Sequence, residues 1–141
     1  MKILQFAFDS REESDYLPHN YTHNCVVYTG THDNDTVMGW YDTLKGAEQK
    51  LCDDYTASGK MRTESRFPES SFPGKFVRAA MSSVADLAIN SHAGYLGLGS
   101  EARINIPSTL GINWKWRIGG TETFTKELAG RIRSMTKLYG R

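Results

Sequence analysis

The run Cys25-Val-Val-Tyr-Thr-Gly-Thr-His-Asp-Asn-Asp-Thr36 decides how this chain is read. Its first five residues are β-branched, aromatic or apolar, which suits a covered, pleated strand, and Gly30 stops it. The strand therefore delivers a polar cluster, with one imidazole and two carboxylates, to its C-terminal end. Beyond the cluster, Val37, Trp40, Leu44, Ala47 and Leu51 recur every three or four residues. That spacing predicts a helix from about Thr36 to Tyr55, with Asp35 or Thr36 as N-cap. Strand, polar loop and helix in this order are the unit of parallel α/β folds, whose active sites form where the strands end.

Working outward, Met1 to Phe8 is almost wholly apolar and predicts a strand covered on both faces. Residues 9–24 are polar, carry Pro18 and form a long loop. On the other side, Gly59, Pro68, Pro73 and Gly74 mark residues 57–74 as loop. Val77, Met81, Val84 and Ala88 line one face of a helix from Phe76 to Asn90, and Gly94-Tyr-Leu-Gly-Leu-Gly99 ends it. Residues 100–120 read as irregular. Phe124, Leu128, Ile132 and Met135 predict a last helix over Thr123 to Leu138, capped by Thr121 or Thr123. The expected fold class is α/β, with two strands and about three helices in one domain spanning residues 1–141.

The chain has 141 residues, 39% of them hydrophobic, and 17 basic residues against 16 acidic ones, so its formal net charge is +1. No global field draws it to nucleic acid or to an anionic membrane, and neither is expected as a partner. No apolar run reaches the length of a membrane span or a signal-peptide core. Cys25 and Cys52 are too few for a disulfide scaffold, which points to a reducing, cytoplasmic setting. Cys25 lies in an apolar strand with no adjacent base and is read as core. Gly97-Leu-Gly-Ser-Glu-Ala102 has the letters of a dinucleotide loop but follows a predicted helix where a strand is required, so it is read as a helix stop.

His32-Asp33-Asn34-Asp35 is the strongest candidate for chemistry, set against an Asx-turn and N-cap that would need the same residues. His19, His23, His32, Asp33 and Asp35 are suitable metal ligands by type. Their spacing matches neither a helix-borne pair nor a calcium loop, so no metal and no cofactor is expected. Trp40, Tyr41, Tyr95, Trp114 and Trp116 could stack on sugar rings, although each taken singly is more often core.

Taken together, several blocks resemble one family. They are Tyr16-Leu-Pro-His-Asn-Tyr21, Val27-Tyr-Thr-Gly-Thr-His-Asp-Asn-Asp-Thr36 with Gly39-Trp40, Leu96-Gly-Leu-Gly-Ser-Glu-Ala-Arg-Ile-Asn-Ile-Pro107, Asn113-Trp-Lys-Trp-Arg117 and Leu138-Tyr-Gly-Arg141. The pattern is similar to the C-terminal part of the 4-alpha-glucanotransferases, or amylomaltases. The resemblance implies the C-terminal portion of a (β/α)8 barrel, incomplete alone, acting on α-1,4-glucans with retention of configuration. Retention needs a nucleophile and an acid/base carboxylate about 5–5.5 Å apart. The resemblance puts both upstream of residue 1 and makes Asp33 the third active-site carboxylate. It implies sugar contacts for His32, Asn34, Asp35, His19, Asn20 and Trp40, and names the N-terminal part of the barrel as a further partner. The pattern departs at Ala93-Gly94, where the family usually has Gln-Asp, at Ile112, where it has Gly, and over residues 57–73. The alternatives are a non-catalytic glucan-binding module and a metal-dependent hydrolase using His32, Asp33 and Asp35.

Overall fold

Val27, at the centre of the quoted apolar run, is fully buried and pairs on both sides in a parallel sheet. The computed structural model describes residues 1–8, 13–56 and 71–141. Strand β1 (Lys2–Ile3) places Lys2 opposite Val27, β2 is Val26–Tyr28, and β3 (Leu87–Ile89) places Ala88 opposite Val27. The sheet order is β1-β2-β3. Five helices accompany the strands among the described residues: α1 (Val37–Tyr41), α2 (Gly46–Thr56), α3 (Phe72–Met81), α4 (His92–Leu96) and α5 (Lys126–Leu138). The result is a mixed parallel α/β arrangement. Among the described residues no helix is long and apolar enough to cross a membrane.

The third strand corrects the expectation of two. The helix predicted from Phe76 to Asn90 ends at Met81, where the Ser82 and Ser83 hydroxyls donate back to the carbonyls of Ala79 and Ala80. Such bonds give the backbone an alternative to the helical ladder. Arg141 secures the turn that follows: its Nε, Nη2 and Nη1 donate to the carbonyls of Met81, Ser83 and Ala85, each at 2.7 Å. Leu87 to Ile89 then pair with β2. The apolar residues past Met81 fit either period, and the free edge of β2 decides between them.

Other boundaries also moved. The expected first strand is extended only at Lys2–Ile3, and Leu4–Ala7 forms a 3₁₀ turn that buries Leu4, Gln5 and Ala7. The helix expected over Thr36 to Tyr55 is two helices, because the Thr43 hydroxyl donates to the Trp40 carbonyl at 2.6 Å and the chain restarts at Gly46 with φ +55°. Thr36 is the N-cap of α1, its hydroxyl accepting from the Gly39 amide. Thr125 caps α5, in place of Thr121 or Thr123, which sit in a preceding 3₁₀ turn. Helix α3 begins at Phe72, inside the predicted loop; residues 57–70 and 9–12 lie outside the described residues. Gly97 does stop a helix, the short α4, in the left-handed conformation.

The core is built around Phe76, fully buried against Phe8 and Trp40 at ring-centroid distances of 5.8 and 5.2 Å. Cys25 packs against this cluster and Cys52 lies within it. Helix α5 adds Met135 to a second cluster with Val77 and Met81. Burial pushes the Cys52 thiol up to about 12. Two measurements check this packing. Phe76→Ala should cost about 3–5 kcal/mol in urea unfolding, the usual loss for a fully buried aromatic. Cys52 should stay unlabelled by a thiolate-specific disulfide reagent at pH 8 in the folded chain and react once it is unfolded.

Candidate functional site

Beyond β2 the chain runs through buried Thr29 to Gly30. A Cβ at Gly30 would sit 2.9 Å from Gln5 Oε1, so a side chain here would push the Gln5 carboxamide aside. The following loop is shaped by its own side chains. Asn34 Oδ1 accepts from the Thr31 amide and hydroxyl, both at 2.8 Å. Asp35 Oδ1 accepts from the Thr36 amide at 2.7 Å, and its Oδ2 accepts from the Ser100 hydroxyl at 2.7 Å. Asn34, Asp35 and Thr36 are thus occupied in holding the turn. His32 and Asp33 are left half-exposed, with 51% and 49% of their side chains accessible.

The segment after α4 orients this pair. Asp33 Oδ1 accepts from Asn105 Nδ2 at 2.6 Å and lies 3.2 Å from His32 Nε2. The Asn105 amide donates to the His32 carbonyl at 3.2 Å. Arg103 Nη2 donates to the Asp33 carbonyl at 2.8 Å and its Nε to the Asn105 carbonyl at 2.9 Å, while Nη1 stands 3.9 Å from Asp35 Oδ2. One guanidinium therefore fastens two loops and places a positive charge beside the Asp35 carboxylate. The His32 ring lies 5.0 Å from the ring of Trp114, tilted by 36°.

These groups open on a cleft of about 850 Å³ at the C-terminal ends of the strands. Its walls include Gln5, His32, Asp33, Asn90, Arg103 and Trp116. Gln5 Oε1 and Asn90 Oδ1 are buried acceptors with no donor among the described residues. A carboxylate, an imidazole, a guanidinium and carboxamides around one cleft supply the donors and acceptors that a polyhydroxylated ligand requires.

Of the residues singled out from sequence, His32, Asn34, Asp35 and Asp33 come together here. His19, Asn20 and Trp40 do not line this cleft. His19 sits on an exposed 3₁₀ turn, 3.1 Å from the Tyr55 hydroxyl, whose pKa is raised by burial. Asn20 donates to Glu13 at 3.1 Å and holds that carboxyl below its ordinary range. Trp40 packs on Phe8 and Phe76 in the core. Among the described residues no three His, Cys, Asp or Glu side chains are grouped to hold a metal ion. Asn90 and His92 had no signal of their own, because β3 read as helix. Asn105 and Arg103 lay inside a quoted motif, but the partner that gives them meaning is about 70 residues away.

Comparisons with known proteins agree with one another. A family profile described as 4-alpha-glucanotransferase matches residues 1–122. A 4-alpha-glucanotransferase from Clostridium butyricum is 46% identical over 141 residues, all of this chain and 27% of the relative. The chloroplastic/amyloplastic 4-alpha-glucanotransferase of Solanum tuberosum is 43% identical, covering all of this chain and 23% of the relative. Among solved structures, an amylomaltase from Streptococcus agalactiae in complex with acarbose superposes with a TM-score of 0.86 at 29% identity, over all of this chain and 27% of that one. The chain spans about a quarter of the length of the curated relatives it matches.

The tightness of the loop junction is open to test at Gly39. A Cβ there would collide with Ser100 Oγ and lie 2.7 Å from Asp35 Oδ1. Gly39→Ala should cost about 1–3 kcal/mol by thermal or urea unfolding, as overpacking does. Adding Ser100→Ala should recover part of the loss, and a double-mutant cycle measures the coupling.

Proposed function

The chain belongs to the 4-alpha-glucanotransferase family, and from that premise we propose that its cleft is part of the donor-sugar site of an enzyme moving α-1,4-glucan segments to the 4-hydroxyl of an acceptor. In this reading Asp33 is the third active-site carboxylate. Its Oδ1 is held by Asn105 and His32, and Oδ2 has no hydrogen bond among the described residues and is available to a ring hydroxyl. A carboxylate fixed in this way costs no reorganisation as positive charge develops on an oxocarbenium-like transition state, which it stabilises electrostatically. His32 binds the same sugar, and Asn34 and Asp35 serve by keeping the loop in shape. The observation that carries the reading is this anchored yet accessible carboxylate at the C-terminal ends of parallel strands.

The nucleophile and the acid/base carboxylate belong, in this proposal, to barrel strands outside these 141 residues. The sheet supports it: β1 and β3 each pair on one side only among the described residues, and Met1, Phe6, Leu87 and Ile89 beside them are exposed. A (β/α)8 barrel takes about 250 residues and buries such edges against neighbouring strands. The acarbose-bound amylomaltase that superposes on this chain supports a carbohydrate in the cleft.

The test is a chimera in which this chain replaces the segment it matches in the Clostridium butyricum relative. The chimera should convert maltotriose into glucose and longer maltodextrins, and the isolated chain should not. Asp33→Asn should lower kcat about 10²- to 10³-fold, the loss expected for one preorganised electrostatic contact, with an unchanged melting curve. Turnover unaffected by that substitution would remove Asp33 from the site.

A further inference from the structure

Trp114 has a φ of +64°, in the left-handed region that a residue bearing a Cβ seldom occupies. Such a conformation persists only where its surroundings over-determine it. Here they do. The Trp114 amide donates to the Ile104 carbonyl at 2.7 Å, and Arg117 Nη1 donates to the Trp114 carbonyl at 2.9 Å. The neighbouring Asn113 is pinned through Oδ1 to the Ile106 amide at 2.8 Å and through Nδ2 to the Thr109 carbonyl at 3.0 Å.

Core burial does not offset the cost of this backbone, because Trp114 is 56% exposed. What the conformation does achieve is to lay an indole against the His32 ring, 5.0 Å between centroids, next to Asp33. His32 is a wall of the cleft and Trp114 is outside its lining, so the indole continues the aromatic surface from the cleft onto its rim. A flat, rigid, half-exposed ring covers the apolar C–H face of a pyranose at little entropic cost and leaves the sugar's hydroxyls in water.

We propose that Trp114 is a stacking platform for a glucose unit lying beyond the cleft, and that it makes the site favour longer α-1,4-glucans over short ones. This rests on the glucan reading above. The indole supplies apolar contact outside the residues that line the cleft, so its contribution grows for chains long enough to cross the rim. His32 has a positioning part, because its ring is shared between the Asp33 carboxylate on one side and the indole on the other.

The experiment is titration calorimetry of the 141-residue chain with maltotriose and with maltoheptaose, for the wild type, Trp114→Gly and Trp114→Leu. Glycine relieves the left-handed backbone, so Trp114→Gly should melt no lower than the wild type, whereas a residue needed only for packing would lower the midpoint. It should weaken maltoheptaose binding about five- to tenfold, in line with the strength of aromatic stacking, and change maltotriose binding less than about twofold. Trp114→Leu keeps apolar bulk on the same backbone and should lose the length preference as well; it decides the matter if the glycine variant is unfolded. In either variant the His32 ring protons should move downfield as the indole ring current is lost. Length preference retained in Trp114→Leu, or equal losses for both sugars, would overturn the platform while leaving the glucan reading standing. No binding of maltoheptaose by the wild-type chain would overturn the platform, while the glucan reading is judged by the chimera.

Discussion

The candidate site depends on the junction between the loop after β2 and the segment that follows α4. Ser100 binds Asp35, Arg103 binds the Asp33 main chain, and Asn105 binds both the Asp33 carboxylate and the His32 main chain. These contacts bridge 65 to 73 residues of sequence and have no counterpart in either segment alone. Those made by the Asp35 and Asp33 carboxylates and the Arg103 guanidinium are charge-assisted, and so stronger than a neutral pair. Gly39 lets the two segments approach, since any side chain there would occupy the space of Ser100. Without this junction, Asp33 would be one more solvated carboxylate on a loop.

The junction needs a rigid base, and the rest of the chain supplies it. Val27 locks β2 between two neighbours, and Phe76, Phe8 and Trp40 fix α3 and α1 beneath the loop. At the opposite end, Arg141 donates to the carbonyl of Met81, the last residue of α3, and to those of Ser83 and Ala85 in the turn after it, which holds the entry to β3 and with it Asn90 at the cleft. Two buried amide oxygens without donors among the described residues, on Gln5 and Asn90, both belong to residues that line the cleft. Buried polar groups are otherwise paired, and unpaired ones concentrate where a protein keeps capacity for a ligand, a water or a further strand. Their place beside Asp33 adds acceptor capacity to the same cleft.

Local signals were legible wherever one residue type has one use. The β-branched run before Gly30, the Thr36 cap and the glycine stop at Gly97 all read correctly, because each satisfies a backbone requirement within a few residues. The misreadings share one cause. Residues 82–89 carry apolar side chains that suit a helical stripe, and only pairing with β2 makes three of them a strand. Trp40 looked like a sugar platform by its type and nearness to the polar loop, yet its ring is needed against Phe8 and Phe76. Trp114 was one aromatic among several until its backbone conformation and its contact with His32 set it apart.

By itself the sequence determined the parallel α/β character, the position of the polar cluster at a strand's end and the family, since these rest on local pattern and on motif letters. Tertiary structure decided how each of those polar residues is held at the cleft. Asn34 Oδ1 is engaged by the Thr31 amide and hydroxyl, and the Asp35 carboxylate by the Thr36 amide and the Ser100 hydroxyl. Asp33 Oδ2 has no hydrogen bond among the described residues, while Asn105 and Arg103, distant in the chain, hold its Oδ1 and its main-chain carbonyl. Which carboxylate stays available is set by long-range contacts, and a pattern of residue types along a chain does not carry that information.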